Sequence, residues 1–299
     1  MKMRVLALDV GGTFVKSGLV SADGNVADAP PVPVDACGPA ISVIGKFAEV
    51  IRTGLRAADG RVARIGVAMP GPFDYDRGVS LMTRKFGAIS GLELVAALRG
   101  ALPELAEISV RFRHDANAFL AGEMWLGAAQ GAGRVIGVTL GTGIGVSCCL
   151  DGVFLTNRLG SPTADVSVWS RPYKGGIVED FISTAGLVAR YRREQPDYSA
   201  ERGVKGIAEA AKRGDAGAVR LFQELGEDLG AVLLPLCEQF DPERIVFGGQ
   251  IAKDFDLFGS TLKAALSRAG RVQPVAMGRL GTHAALLGAT LDERRAEER

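Results

Sequence analysis

Asp9 closes a short apolar run that begins at Val5, and Val10-Gly11-Gly12-Thr13 follows at once, with Lys16 three residues further on. A carboxylate at a strand end beside glycines suits a polyanion. Backbone amides can approach phosphate where no Cβ intervenes, and Thr13 and Lys16 add a hydroxyl and a positive charge. Asp9 could reach Mg²⁺ through water, because that ion keeps much of its hydration shell. An ordinary hairpin turn accounts for the glycines equally well, though not for the carboxylate beside them. A second turn, Gly141-Thr142-Gly143-Ile144-Gly145, repeats the pattern without an acid, and glycine's access to positive φ again offers a purely structural alternative. As a pair, the two turns suit a nucleotide held in a cleft. Arg113-His114-Asp115-Ala116-Asn117 falls between an expected strand and an expected helix. There a carboxylate can leave the sheet edge and accept a hydroxyl proton, the base that phosphoryl transfer needs besides positioning. Capping of the helix by Asp115 or Asn117 is the competing reading.

The elements that must position these groups can be read from periodicity. Val5 to Asp9 and Phe14 to Val20 form a β-hairpin, and Ala22-Asp23-Gly24-Asn25 supplies turn chemistry. The spacing predicts a helix over Ile41 to Ala58, a strand over Ile65 to Met69 ended by Pro70-Gly71-Pro72, and a helix over Leu92 to Arg99. A strand over Ile108 to Phe112 and a helix over Ala116 to Leu126 complete the first half. Val135 to Leu140, the second Gly-rich turn and Val146 to Leu150 then repeat the opening hairpin, which reads as a duplicated unit. Further helices are predicted over Ile177 to Arg193, Ile207 to Lys212, Ala216 to Phe240, Leu257 to Arg268 and Ala284 to Arg295. Strands are predicted over Ile245 to Gly249 and Val272 to Met277, and a solvated tail from Asp292.

A length of 299 residues favours two lobes or one large α/β domain. Lysine and arginine total 35 against 34 acidic residues, so no global field recruits nucleic acid or an anionic membrane. The N-terminal run has neither the length nor the cleavage site of a signal peptide, and no apolar stretch approaches a membrane span, so a cytoplasmic location is expected. Cys37, Cys148, Cys149 and Cys237 show no C-x-x-C spacing and read as buried free thiols. With His114 and His283 as the sole imidazoles, a structural zinc site is not expected.

The order of motifs over nearly the whole chain resembles the ROK family of repressors and sugar kinases. The matching residues are Asp9 to Lys16, Gly66 to Gly71, Asp115-Ala116-Asn117, Leu140 to Gly145 and Phe247-Gly248-Gly249. The resemblance implies an α/β actin-like ATPase (ribonuclease H-like) fold with two lobes and a central cleft. It places a small lobe at residues 1–114, with a helix at about 284–299 packing back on it, and a large lobe at 115–283. It further implies ATP and Mg²⁺ as cofactors, a sugar as substrate and a homodimer. Asp115 would deprotonate the sugar hydroxyl. Asp9, Gly11, Gly12, Thr13, Lys16, Gly141, Thr142 and Gly143 would hold phosphates, with Gly248 and Gly249 near adenosine. Gly71, His114, Asn117, Asp165 and Glu179 would face the acceptor.

Several positions depart from the family pattern. His114 stands where the family has Asn, and Gly160 to Val168 lacks the family's Gly-Glu-x-Gly-His, including the His that binds sugar and ligates zinc. Asp165 could stand in for the missing Glu with a bridging water. Trp169 to Val178 replaces the Cys-rich zinc loop and contains no cysteine. Glu179 follows where a sugar-binding Glu is expected, although a first-turn Glu favoured by the helix dipole is the plainer reading. Lys85 could neutralise phosphate, and Phe86, Trp169 and Tyr173 could supply apolar contacts or simply pack in the core. The leading expectation is a sugar kinase. The alternatives are a non-catalytic sugar sensor and a kinase-like protein whose altered pocket binds another small molecule.

Overall fold

The computed structural model describes residues 4–58, 62–270, 274–292 and 294–295. The chain begins with β1 (Arg4–Val10), β2 (Phe14–Val20), β3 (Val26–Pro33), α1 (Ala40–Ala57), β4 (Val62–Met69), β5 (Phe73–Asp74) and β6 (Val79–Ser80). Next come α2 (Leu94–Ala101), β7 (Val110–His114), α3 (Asp115–Leu126), β8 (Arg134–Leu140), β9 (Ile144–Leu150) and β10 (Val153–Phe154). They are followed by β11 (Pro172–Tyr173), β12 (Gly176–Ile177), α4 (Glu179–Ile182), α5 (Thr184–Glu194), α6 (Gly203–Lys212) and α7 (Ala216–Phe240). The last are β13 (Arg244–Gly248), α8 (Gly259–Leu266), β14 (Val275–Met277), α9 (His283–Ala289) and β15 (Arg294–Arg295).

By their contacts these residues form two compact units. The first holds the described residues up to Gln130, then Gly152–Thr163 and those from Leu280 on; the second holds Gly131–Asp151 and Ala164–Arg279. The first break therefore falls after Gln130, beyond the boundary expected at residue 114.

The sheet of the first unit has the order β3-β2-β1-β4-β7. The β1–β2–β3 meander is antiparallel, while β4 and β7 run parallel to β1. Both faces of β1 and β4 are covered, and on one of them the amphipathic α1 packs Val43, Phe47, Val50 and Ile51 with Leu6, Leu8, Ile65 and Val67. On the opposite face, α9 packs Leu286 and Leu287 on Ala7 and Val20. Helix α3 is buried continuously from Ala116 to Glu123, which its small side chains permit. A Cβ at Gly288 would collide with the Ala118 carbonyl, so glycine lets α9 lie directly on α3. The edge strand β3 was hidden in the sequence by Pro30, Pro31 and Pro33, residues tolerated where no ladder partner is needed on one side.

In the second unit, β14-β13-β8-β9 repeats the order and directions of β7-β4-β1-β2, with an antiparallel hairpin followed by parallel neighbours. The duplication expected from the two Gly-rich hairpins is thus present in the topology. Other expectations need correction. The predicted helix from Ile177 to Arg193 is broken, because Ser183 starts a new helix by accepting the Gly186 N–H at 3.1 Å. The predicted closing helix to Arg295 ends at Ala289, after which Arg294 and Arg295 pair with β10. The cause is tertiary. Arg113 on β7 donates to the Gly288 and Leu291 carbonyls at 2.8 and 3.1 Å, and Arg64 donates to the Thr290 carbonyl. The predicted strand from Val272 begins at Val275, and residues 271–273 lie outside the described residues, as does most of the expected tail.

Candidate active site

Three neighbouring strands of the first unit run parallel, so their C-terminal ends share one sheet edge. Asp9 is level with Ala68, and Met69 with His114. From that edge emerge the Gly11-Gly12 turn, Gly71 and Asp115, the arrangement in which open α/β sheets bind ligands. The turn is tight: the Gly11 N–H donates to the Phe14 carbonyl at 2.9 Å, and a Cβ at Gly11 would press on that oxygen. Thr13 is exposed, and the side chain of Lys85 lies over Gly12, where it could meet an anion. Lys16 is the cross-strand partner of Asp9 and donates to its carboxylate at 2.9 Å.

Asp115 is the first residue of α3, and its Oδ1 accepts the Ala116 N–H at 2.7 Å. The helix N-terminus favours its charge. Its side chain remains 42% exposed, so the local bond leaves the carboxylate accessible. His114 places Nδ1 3.1 Å from the same oxygen and 3.2 Å from the Ala116 nitrogen. Its ring stands edge-on to Tyr75 at 5.8 Å and lies beside Gly71. Asn117, in contrast, is 1% exposed, with its amide directed to the Gly160 carbonyl at 3.5 Å. It faces the loop at 157–161 and does not cap α3. Arg113 is turned away into the C-terminal carbonyls and stacks over Phe154.

The second unit gathers another group. The Gly141 carbonyl accepts both the N–H and the hydroxyl of Thr184, at 2.8 and 2.9 Å, which ties the Gly141–Gly143 turn to the start of α5. A Cβ at Gly143 would collide with the Glu179 carboxylate, so Glu179 lies directly over the turn. Gly248 pairs with Thr139 at the end of β8. Gly249 follows with φ +93° and no room for a Cβ beside the Leu140 backbone, a position that glycine alone fills without strain. Thr142 is exposed. Asp165 is also exposed, and its carbonyl accepts from Arg171 at 2.5 Å.

Some candidates belong elsewhere. Phe86 is fully buried against Phe47 at 5.9 Å and is a core residue, not an apolar contact for a ligand. Tyr173 donates to Asp228 at 2.8 Å; burial first, then that bond, pushes its phenol well above the usual range and keeps it a donor. Trp169 remains exposed. Cys37 is exposed, contrary to expectation, whereas Cys148, Cys149 and Cys237 are buried. Burial pushes the Cys148 thiol up, with Cys237 and Cys149 adding to the effect. Sequence reasoning missed Tyr75 beside Gly71 and His114, and Thr184 beneath Gly141. Neither lies in a motif, although the Ser183-Thr184 pair after an apolar run is a helix-start signal.

Two units of one repeated topology, each with a Gly-rich hairpin, and one with an acidic strand-to-helix junction, define an actin-like ATPase fold. The ROK family model matches residues 5–291, and the chain belongs to the ROK family. A glucokinase of Thermotoga maritima is 28% identical over 279 residues, 86% of each chain. The structure of a ROK hexokinase from Thermus thermophilus matches 96% of both chains with 26% identity and a TM-score of 0.75. That of a ROK family glucokinase from Streptomyces griseus, in complex with glucose and AMPPNP, covers 96% of this chain and 97% of its own, with 25% identity and a TM-score of 0.76.

Among the described residues, no group of three or more His, Cys, Asp or Glu side chains could hold a metal ion. Because residues 169–178 hold no cysteine and residues 160–169 no histidine, structural zinc is expected to be absent from the purified protein, and chelators should leave its Tm unchanged. Elemental analysis that found about one tightly held zinc per chain would contradict this.

Proposed function

We propose that this sugar kinase moves the terminal phosphoryl group of ATP to a hydroxyl of a hexose or related sugar, with Asp115 as general base. The observation that carries the reading is the shared sheet edge, where Asp9, the Gly11-Gly12 turn, Gly71 and the exposed Asp115 carboxylate emerge from adjacent parallel strands. The glucose and AMPPNP bound to the Streptomyces griseus relative support both substrates.

In this mechanism the Asp115 carboxylate takes the proton of the acceptor hydroxyl as that oxygen bonds to phosphorus and ADP leaves. The amides of the turns at Gly11-Gly12 and Gly141–Gly143, with Lys16 and Thr13, hold phosphate oxygens. Gly248 and Gly249, packed close to the strand that leads into the second turn, would lie beside the nucleoside. The Glu179 carboxylate and His114 present polar edges to the sugar. Mg²⁺, when bound with ATP, neutralises phosphate charge, and Asp9 would hold it through water. A single carboxylate paired to Lys16 fits an ion that retains most of its hydration shell and takes its other ligands from phosphate.

Purified protein with Mg²⁺ and ATP should release ADP in step with sugar phosphate formed, in a screen of hexoses, amino sugars and glycosides. Sugar binding without turnover across the whole panel would overturn the kinase reading in favour of a sensor.

A further inference from the structure

Asp228 lies in the middle of α7 with a fully buried side chain, and the catalytic scheme gives it no part. Its Oδ1 accepts from the Tyr173 hydroxyl at 2.8 Å and from the Lys174 ammonium at 2.6 Å, and its Oδ2 accepts from Arg190 Nη1 at 2.8 Å. A charge is tolerated in such a place when it is paired and hydrogen-bonded, and here every one of these donors comes from outside α7. Tyr173 and Lys174 enter the β11–β12 turn, where Lys174 and Gly175 hold left-handed backbone at φ +46° and +83°. Arg190 is on α5, and its Nη1 also donates to the Phe181 carbonyl of α4 at 3.0 Å. The Phe181 ring meets Tyr173 edge-on at 5.5 Å and lies beneath the Arg190 guanidinium. One carboxylate thus gathers β11, α4 and α5.

The segment so gathered carries Glu179. The Glu179 N–H donates to the Trp169 carbonyl at 3.0 Å and the Val178 N–H to the Arg171 carbonyl at 3.0 Å. The Ile177 N–H donates to the Asp180 carboxylate at 2.9 Å. Residues 171–177 are all half-buried or exposed, so apolar burial does little to fix this stretch. Its anchorage is polar, with most of the charge at Asp228, whereas Val178 and Ile182 beyond it are buried. We propose that Asp228 is a positioning residue that clamps segment 171–182 and thereby holds the Glu179 carboxylate over the Gly143 turn to meet the acceptor sugar. The link to the sugar rests on the kinase reading; the clamp itself does not.

Asp228→Asn keeps the volume and one acceptor oxygen but removes the charge that Lys174 and Arg190 share. Lys174→Met removes one arm at the surface, and covers the case in which the Asn variant fails to fold. Amide exchange across residues 171–182 is expected to speed up by about tenfold in either variant, with the rest of the second unit unchanged. The KM for the acceptor sugar should rise by about tenfold while that for ATP moves by less than about twofold, and Lys174→Arg should restore both. Unchanged exchange in the folded variants would overturn the clamp whether or not the protein is a kinase. Faster exchange with an unchanged sugar KM would overturn the link to Glu179. Absence of turnover in the wild-type protein would instead remove the kinase reading and the sugar link, while the exchange result would still decide the clamp.

Discussion

Asp115→Asn is expected to lower kcat by about 10²-fold or more on the true acceptor, because it removes the base and keeps the side-chain volume. The geometry makes this a clean test. Asn retains an oxygen to accept the Ala116 N–H, now made at 2.7 Å, so the first turn of α3 keeps its bond. What is lost there is a charge near the helix N-terminus, worth about 0.3–1 kcal/mol at an exposed site, which predicts a small fall in Tm. Helix α3 is otherwise fixed by burial from Ala116 to Glu123 and by its contact with α9, neither of which involves Asp115. Binding of ATP should be retained, since the residues proposed to hold phosphate in the first hairpin lie on and between β1 and β2. A purified variant with near wild-type kcat would show that another group takes the proton.

The strands and turns of the two Gly-rich hairpins were legible because their signals are local. Asp9-Val10-Gly11-Gly12-Thr13 ends an apolar run in residues that a tight hairpin requires, and the same holds for Gly141 to Gly145. Asp115 was legible for a similar reason, lying between an apolar strand and a helix of small residues. Where the reading failed, the deciding contact came from distant sequence. Nothing between residues 284 and 295 says that Arg64 and Arg113 will take the carbonyls that a longer helix would need. The break at Ser183 is made locally by its cap on Gly186, and the bond from Thr184 to the Gly141 carbonyl, 43 residues away, then fixes where the new helix starts. Phe86 looked available for a ligand because the ring that packs on it, Phe47, belongs to α1, far back in the sequence. Asp228 carried no signal at all, since one acid in a long helix ordinarily faces water.

The acceptor is where this chain should part from its glucokinase relatives, with glucose used about 10²-fold less efficiently than the preferred sugar. The family resemblance places a Glu and a His in the segment from Gly160 to Trp169, and neither is present. Val168, in that stretch, is 1% exposed and its side chain offers no polar atom, while Asp165 is exposed and carries a carboxylate on a side chain one methylene shorter than that of Glu. Loss of two hydrogen bonds to glucose hydroxyls, at about 1.4 kcal/mol each, is expected to amount to about 10²-fold in kcat/KM. His114 is a second departure from the family pattern. Its Nδ1 is directed to the Ala116 nitrogen and the Asp115 carboxylate, so what the ring turns toward Gly71 is its Nε2 and Cδ2 edge. An asparagine amide would offer a donor and an acceptor together, whereas a single ring nitrogen offers one or the other. A sugar with a substituent at one of the affected hydroxyls does not leave these groups unpaired. Values of kcat/KM for glucose, amino sugars and glycosides, measured with the same donor, give the test: efficient phosphorylation of glucose would show that recognition does not run through residues 160–169 and His114.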